Sequence, residues 1–248
     1  MKKIALILFV CLLTSISIVY SSLIEVGVPE SLKGKINSLV YDNASNIVKF
    51  PIEFYNTGSV PYKARIKAEI LDDNETVFNG WSKERELMPG DKKVFDIYWY
   101  NKSSGAYLVK LKAYFGNEIM EYGKFELRIN RNLEPEDIFE IKNFRTYDDY
   151  IIFDVQSKED LNNLIVMPNK YPLGWIFEQK EITNITKDNP RTVVINYYPS
   201  LWIPSNVSLS IAAGKGKYYT EKTLEMKKNE GLVGLFYYII DKVRIAFS

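Results

Sequence analysis

FYNTGSVPYKARIKAEI, residues 54–70, decides how the chain is read. Tyr62, Ala64, Ile66, Ala68 and Ile70 alternate with Lys63, Arg65, Lys67 and Glu69. A period of two with one apolar and one polar face is the mark of a strand in a half-buried antiparallel sheet. Just upstream, NIVKFPIEFY does the same, with Val48, Phe50, Ile52 and Phe54 on one face and Lys49, Glu53 and Tyr55 on the other. Between the two runs, Asn56-Thr57-Gly58-Ser59 and Pro61 supply turn chemistry, with Gly58 expected to take positive φ. Pro51 donates no backbone hydrogen bond, which predicts an edge or a bulge. The set Lys63, Arg65, Lys67 reads as the solvated face of a strand.

The same pattern extends outward. VFDIYWY (94–100), GAYLVKLKAYF (105–115) and GKFELRI (123–129) are further strands, and no long segment with a helical period separates them. Strands spaced by turns predict an all-β chain built of β-sandwiches. NRNLEPED (130–137) is polar and aperiodic and marks a domain boundary. Beyond it IFEIKNF, YIIFDVQ, NLIVM, WIFEQKEI, RTVVINYY, VSLSIAA and YYTEKTLEM read as seven strands of a second sandwich, with no sequence repeat between the halves. The expected organisation is a leader over 1–22, sandwiches over 23–131 and 132–228, and an apolar tail over 229–248.

Three turn signals in the first half, Asn56-Thr57-Gly58, Leu87-Met88-Pro89-Gly90 and Gly105-Ala106-Tyr107-Leu108-Val109, resemble the CARDB-type (cell-adhesion-related) immunoglobulin-like domain of archaeal and bacterial surface proteins. The resemblance covers roughly residues 24 to 130. It implies an immunoglobulin-like fold and a non-catalytic display or adhesion role, although turn signals specify a fold better than a function.

The bulk composition limits the chemistry. Of 248 residues, 46% are hydrophobic and 25% charged, as in a folded globular chain. Aromatic residues reach 14%, mostly tyrosine, which favours strands. The net charge is +1, so no global basic field points to nucleic acid. There is no histidine and one cysteine, so Ser-His-Asp and Cys-His catalysis, Cys/His zinc sites and intrachain disulfides are excluded. Lysine far outnumbers arginine and glutamine is scarce, a thermophile leaning; plentiful asparagine argues the other way, and an AT-rich genome gives the same residues, with a thermophilic archaeon the expected source. Two carboxylates suffice for glycoside hydrolysis, but none of the 31 acids stands in a recognisable catalytic setting. Asp72-Asp73-Asn74-Glu75 lacks the alternate spacing of a calcium loop and reads as a hairpin, Asp148-Asp149 as a turn, and Gly214 to Lys217 as a hairpin rather than a phosphate cradle. No enzymatic activity and no cofactor are expected.

The ends carry the remaining signals. MKKIALILFVCLLTSISIVYSS has a basic start, an uncharged run over Ile4–Tyr20 and small residues for cleavage after Ser21. It reads as a signal peptide or a retained transmembrane anchor with the body outside. Cys11 lies inside the apolar run and reads as one of its members. Sequons at Asn43, Asn74, Asn101, Asn184 and Asn206 are candidate glycan sites in an exported chain. Trp81, Trp175 and Trp202 lie in or beside turns and could stack on sugars if exposed in a row. In the tail, GLVGLFYYIIDKVRIAFS (231–248), the apolar run is interrupted by Asp241, Lys242 and Arg244. Three placements suit it: a helix on the membrane surface with Phe236, Tyr237, Tyr238, Lys242 and Arg244 in contact, a short span, or a helix docked on the second sandwich. The function expected is that of an exported, membrane-tethered protein of cell-envelope assembly or adhesion. Its partners would be the membrane surface and other envelope proteins or glycans. The alternative is a carbohydrate-binding module.

Overall fold

In the computed structural model the described residues are 31–39, 47–100, 104–129, 136–172, 174–199, 207–215 and 217–226. The first half contributes eight strands: β1 (Gly34–Leu39), β2 (Ile47–Asn56), β3 (Tyr62–Asp72), β4 (Glu75–Trp81), β5 (Arg85–Leu87), β6 (Lys92–Tyr100), β7 (Gly105–Phe115) and β8 (Glu118–Ile129). They form a sheet in the order β1-β2-β6 and a second in the order β4-β3-β7-β8, with β5 also paired to β3. Every strand-to-strand ladder here is antiparallel. The alternation quoted above sends Phe50, Ile52 and Phe54 from one sheet and Ile66, Ala68 and Ile70 from the other into a single core, completed by Phe95, Ile97, Val109 and Leu111. Strands that pair out of chain order, β2 with β6 and β3 with β7, give the immunoglobulin-like Greek-key arrangement.

The second half contributes β9 (Phe139–Thr146), β10 (Tyr150–Ser157), β11 (Leu161–Lys170), β12 (Ile176–Phe177), β13 (Lys180–Ile185), β14 (Arg191–Tyr198), β15 (Val207–Lys215) and β16 (Tyr218–Met226). The sheets are β12-β14-β10-β9 and β13-β11-β15-β16. Setting aside the short β5 and β12, the two halves have one strand order: β1-β2-β6 corresponds to β9-β10-β14, and β4-β3-β7-β8 to β13-β11-β15-β16. The fold is duplicated although no sequence repeat is visible. A second core gathers Ile151, Phe153 and Val155 of β10, Leu164 and Val166 of β11, and Val193 and Ile195 of β14.

Three details correct the sequence expectations. WIFEQKEI is two strands, β12 and β13, so the second half has eight strands where seven were expected. Pro51 is on neither an edge strand nor a bulge. It lies in β2, the middle strand, opposite Asp96 of β6 and just past the last β1 pair, Leu39↔Ile52, where a missing donor costs no ladder bond. Pro168 stands similarly past the last β13 pair of β11. Gly58 is not at positive φ. It is glycine because a Cβ would sit 2.2 Å from the Ser31 carbonyl oxygen.

The described residues of both sandwiches fall in one compact unit. A third cluster joins the sandwiches: Ile47, Tyr98 and Tyr100 from the outward face of β2 and β6 meet Ile165, Met167 and Tyr219 from β11 and β16. This explains why burial along β6 stops alternating and runs unbroken over Ile97–Tyr100. The leader with Cys11, residues 130–135 of the boundary stretch, and the tail lie outside the described residues. Among the described residues no helix is long and apolar enough to cross a membrane.

Candidate functional site

The turn that opens the sequence reading is a structural lock. Asn56 is fully buried, and its side-chain amide donates to the carbonyls of Val60 (3.0 Å) and Leu87 (3.1 Å) while its Oδ1 accepts from the Gly58 amide (2.9 Å). Its backbone N–H donates to Asp91 O and its carbonyl accepts from Gly90 N. Asn-x-Gly and Leu-x-Pro-Gly are thus two halves of one clasp. The second half is a type II turn: Asp91 N donates to Met88 O at 3.0 Å, Pro89 occupies the φ-fixed position, and Gly90 takes φ 85°. These buried polar groups are satisfied within the fold, as buried polar groups must be.

The face expected to be solvated is partly covered. On the outward side of β3, Arg65 bonds Glu84 and lies over the Tyr198 ring of the second sandwich, 4.7 Å from its centroid. Lys67 bonds Glu69 at 2.5 Å and lies over Trp81 at 5.6 Å. Only Lys63 is well exposed. Across the ladder, Lys112 of β7 pairs with Glu121 of β8 at 2.9 Å, and each holds the other's charge in place: Glu121 is shifted to lower pKa and Lys112 to higher by that bond. The outward face of β4-β3-β7-β8 is therefore a self-neutralised lattice of acids and bases. Ile119 and Tyr122 are exposed on its edge strand β8.

The tryptophans do not form an exposed platform. Trp81 is 6% exposed, against Tyr114 at 4.9 Å between ring centroids and bridged to Glu178 of the second sandwich. Trp175 is 2% exposed and stacks at 4° and 5.4 Å on Tyr197 inside the second core. An indole with both faces covered offers none to a sugar ring, so the stacking expectation fails at both; Trp202 lies outside the described residues. Trp81 was read as a turn residue because its strand is short and ends there. Its ring is covered by Tyr114 and Lys67 from neighbouring strands, which no local pattern signals.

The junction of the sandwiches went unread in the sequence, and it is the best-built polar feature of the molecule. The Gln179 side chain pairs with the backbone of Tyr98 as a strand would: Tyr98 N donates to Oε1 at 2.7 Å and Nε2 donates to Tyr98 O at 2.6 Å. Tyr98 OH reaches Glu181 at 3.2 Å, Tyr171 OH donates to Asn79 O at 2.7 Å, and Tyr100 stacks on Tyr219 at 3.5 Å and 13°. Burial pushes the phenols of Tyr98, Tyr171 and Tyr219 well above the ordinary range, with Asp96 and Glu181 adding to it at Tyr98 and Glu221 at Tyr219. All three stay neutral hydrogen-bonding groups at any physiological pH.

Of the sequons, Asn74 and Asn184 are described and both are exposed, Asn74 at a turn and Asn184 within β13. Asn74 with Asp73 makes the two-residue β3–β4 hairpin, φ 70° and 44°, a type I′ turn. Asn184 has φ 55° at the end of β13, its carbonyl accepting from Arg191 at 3.1 Å. Asn43, Asn101 and Asn206 lie outside the described residues, as do Phe236, Tyr237, Tyr238, Lys242 and Arg244. Asp148-Asp149 is the β9–β10 turn, closed by Tyr147 N to Tyr150 O at 2.9 Å. Among the described residues no group of three or more His, Cys, Asp or Glu is placed to hold a metal ion.

No protein-family model matches the chain, so the resemblance over residues 24 to 130 has no family-level counterpart. No curated protein matches it. Among solved structures it is similar to the N-terminal periplasmic domain of ScsB from Proteus mirabilis, at 11% identity and TM-score 0.30 over 77% of this chain and 92% of that one. It is also similar to red sea bream transglutaminase, at 9% identity and TM-score 0.23 over 82% of this chain and 31% of that one. A third is CBD12 from CALX1.2, at 10% identity and TM-score 0.23 over 67% and 73%. Likenesses this distant carry no weight; the immunoglobulin-like assignment stands on the strand order above.

Proposed function

We propose that the chain is an exported, membrane-tethered surface protein whose two rigidly joined sandwiches act without catalysis in cell-envelope assembly or adhesion, the first being a CARDB-type domain. The observation that carries this is the leader: Lys2 and Lys3 precede an uncharged run over Ile4–Tyr20, and a wholly β body follows. Three features support it. The Asn-x-Gly and Leu-x-Pro-Gly signals are parts of one clasp in the fold. The sequon asparagines Asn74, on the β3–β4 turn, and Asn184, in β13, are both exposed. The junction packs the two sandwiches against each other through a buried cluster, which suits display as one body. The sugar-binding alternative loses Trp81 and Trp175, whose rings are buried.

Protease added to intact cells tests the location. The body is degraded if it is displayed; complete protection together with recovery in the cytosolic fraction rejects display. Crosslinking on intact cells, followed by mass spectrometry of what is joined to the body, then separates an assembly role from a solitary one. Mass spectrometry of the mature protein reads Asn74 and Asn184 for glycan.

A further inference from the structure

One sheet edge of the first sandwich is regular and uncovered. In the second sandwich the outer edge of β14 is taken by β12, through Ile176↔Tyr198 and Phe177↔Tyr197. The short strand of the first sandwich, β5, pairs instead with β3 in the other sheet, so β6 ends the sheet β1-β2-β6. The direction of the backbone groups along β6 follows from its neighbours. At one end Asn56 N, from β2, donates to Asp91 O. At the other, Gln179 takes both backbone groups of Tyr98 from the opposite side. Backbone groups alternate between the two sides along an antiparallel strand. The odd positions of β6 therefore bond β2, and the N–H and C=O groups of Lys92, Val94, Asp96 and Tyr98 point to the outer edge. Among the described residues, the group bonded to this row is the Gln179 side chain, at Tyr98. Lys92 is exposed and Val94 is 44% exposed. Lys93, between them, points to the other face of the sheet and bonds Glu86 O of β5. Open edges are usually blunted by bulges or covered. Here β1 has a bulge between Ile36 and Ser38, β8 skips Tyr122 opposite Leu111 and Lys112, and β16 side chains bond carbonyls of β9. Strand β6 pairs with β2 through all 9 of its residues without a break.

We infer that two copies of this chain pair along β6, antiparallel and two-fold about Val94, so that β1-β2-β6 continues into the same sheet of the second copy. The edge is complementary to itself in this register. Because the open groups belong to even positions, an added β6 can shift only in steps of two residues. With Val94 opposite Val94, Lys92 stands opposite Asp96 on both sides of the axis, and each of these pairs exchanges both its backbone bonds. Opposite charges directly across a ladder attract and like charges repel. A shift of one step sets Lys92 against Val94 and Asp96 against Gly90. The same shift the other way needs the backbone of Tyr98, which Gln179 already holds. A further step sets Lys92 against Lys92 or Asp96 against Asp96. The favoured register also extends a lattice present within one chain, where Lys49 bonds Asp96 at 3.2 Å and Lys92 lies over the Tyr55 ring at 5.4 Å. Asp96 then stands between Lys49 of its own β2 and Lys92 of the second copy. Val94, an exposed apolar residue among these charges, is covered by its counterpart at the axis. Gln179 sets the length of the contact, since it closes the row at Tyr98 and leaves Lys92–Asp96 for the second copy. The interface is isologous, as a two-fold dimer requires. The inference is independent of the proposed surface role, because an unattached body would pair in the same way.

The test uses the full chain carrying Cys11→Ser, solubilised in a mild detergent, with one new cysteine per chain. Val94→Cys is compared with Val77→Cys on β4, a position of similar exposure at 46%. A short bismaleimide is expected to join two Val94→Cys chains at least tenfold faster than two Val77→Cys chains. Mixing Lys92→Cys chains with Asp96→Cys chains reads the register. In the mixed dimer the two thiols face each other and the remaining Lys92 and Asp96 still pair, so mixed products are expected to outnumber both like products at least fivefold. In the Val94→Cys chain, Lys92→Glu is expected to slow the reaction at least tenfold, and adding Asp96→Lys to bring it back within threefold. The mixed-cysteine arm decides if Asp96→Lys lowers the thermal midpoint. Equal rates at 94 and 77 overturn the inference, and if both are rapid they assign the association to another part of the chain. Like products that match or exceed the mixed ones overturn the register. A double charge reversal that folds normally and fails to restore the rate overturns the pairing of Lys92 with Asp96.

Discussion

The two sandwiches share a strand order but are locked by different chemistry. The first is fastened at one end by Asn56, a single buried amide that ties the β2–β3 turn to the β5–β6 turn and so holds strands from both sheets. At the equivalent place, the end of β10, the second has the smaller Ser157: fully buried, it accepts Asp188 N at its carbonyl, but its hydroxyl bonds only Glu159 within the β10–β11 turn, at 2.8 Å to O and 3.2 Å from N. An aromatic fastening adds to it: Tyr197 stacks on Trp175 and Phe177 and reaches back with its hydroxyl to Tyr147 O at 2.5 Å. Topology follows from the alternation of apolar residues, which both halves possess. The locks are particular polar contacts and need no common sequence, which is how a duplicated fold can lack a visible repeat.

The largest expected effects break both halves alike. Phe50 and Phe153 are inward residues on the equivalent strands β2 and β10. Phe50→Ala and Phe153→Ala should each cost about 3–5 kcal/mol by leaving a cavity in a close-packed core. Because the tyrosine junction joins the halves, calorimetry of a chain lacking the leader should show one transition, moved down by either substitution. A first sandwich that melts at its unaltered temperature in Phe153→Ala would show that the junction does not couple them.

Next in size is the lock itself. Asn56→Ala removes three side-chain bonds and leaves Leu87 O, Val60 O and Gly58 N short of partners. Unsatisfied buried groups of this kind should make the loss about 2–3 kcal/mol. Asn56→Asp, which keeps the acceptor and loses the donors, should recover little. If the clasp is what distinguishes the halves, hydrogen exchange should quicken first at β2, β5 and β6 and leave β9, β10 and β14 protected.

The contrast also marks what could be read before the structure was in hand. The first sandwich was legible because its strands face water on one side, so apolar and charged residues alternate cleanly through Tyr62–Ile70 and Tyr107–Phe115. The turn residues were legible as turns because backbone geometry is local. Illegible was whatever depends on a second layer. Arg65 and Lys67 belong to a charged face by pattern, yet Tyr198 and Trp81 cover them. The three-residue β5 is too short to show a period, and in β4 the exposed Val77 and the buried Gly80 run against the apolar–polar pattern. Burial on both faces erased the alternation along β10 and β11, so those strands were recognised from β-branched and aromatic content and nothing betrayed their outer contacts. Gln179 has no signal at all. Its role comes from the Tyr98 backbone 81 residues away.

Gln179 supplies the third prediction. Gln179→Ala should cost about 1–2 kcal/mol, since it leaves one backbone donor and one acceptor at a part-buried site to be satisfied by water. Its diagnostic effect is on coupling. The single calorimetric transition should broaden or divide, with little change in either core, and adding Tyr100→Leu to remove the stack on Tyr219 should separate the halves further. If the double substitution leaves one sharp transition, the halves are held together by something other than the junction.

The smallest effect separates the two locks by pH. Tyr62 in the first sandwich donates its hydroxyl to Lys33 O at 2.7 Å, and Tyr197 in the second donates to Tyr147 O at 2.5 Å. Burial raises each phenol to about 12. In the unfolded chain a tyrosine loses its proton near pH 10. The folded state therefore holds more protons than the unfolded one between those values, and stability must fall as pH rises. Each tyrosine's contribution is complete below about pH 10 and is lost on the way to about pH 12. Tyr62→Phe and Tyr197→Phe should each flatten the alkaline decline in urea midpoint over that window, with a modest loss near neutrality. They should differ in salt. The shift at Tyr62 comes from desolvation alone, whereas the carboxylates of Asp148 and Asp149 add to desolvation at Tyr197. At 1 M salt the screening length is about 3 Å, so the part owed to the two aspartates should shrink while burial is untouched. The Tyr197→Phe difference should then narrow with added salt and the Tyr62→Phe difference should hold. Equal salt responses would mean that both phenols are shifted by burial alone and that the two fastenings differ in their partners but not in their electrostatics.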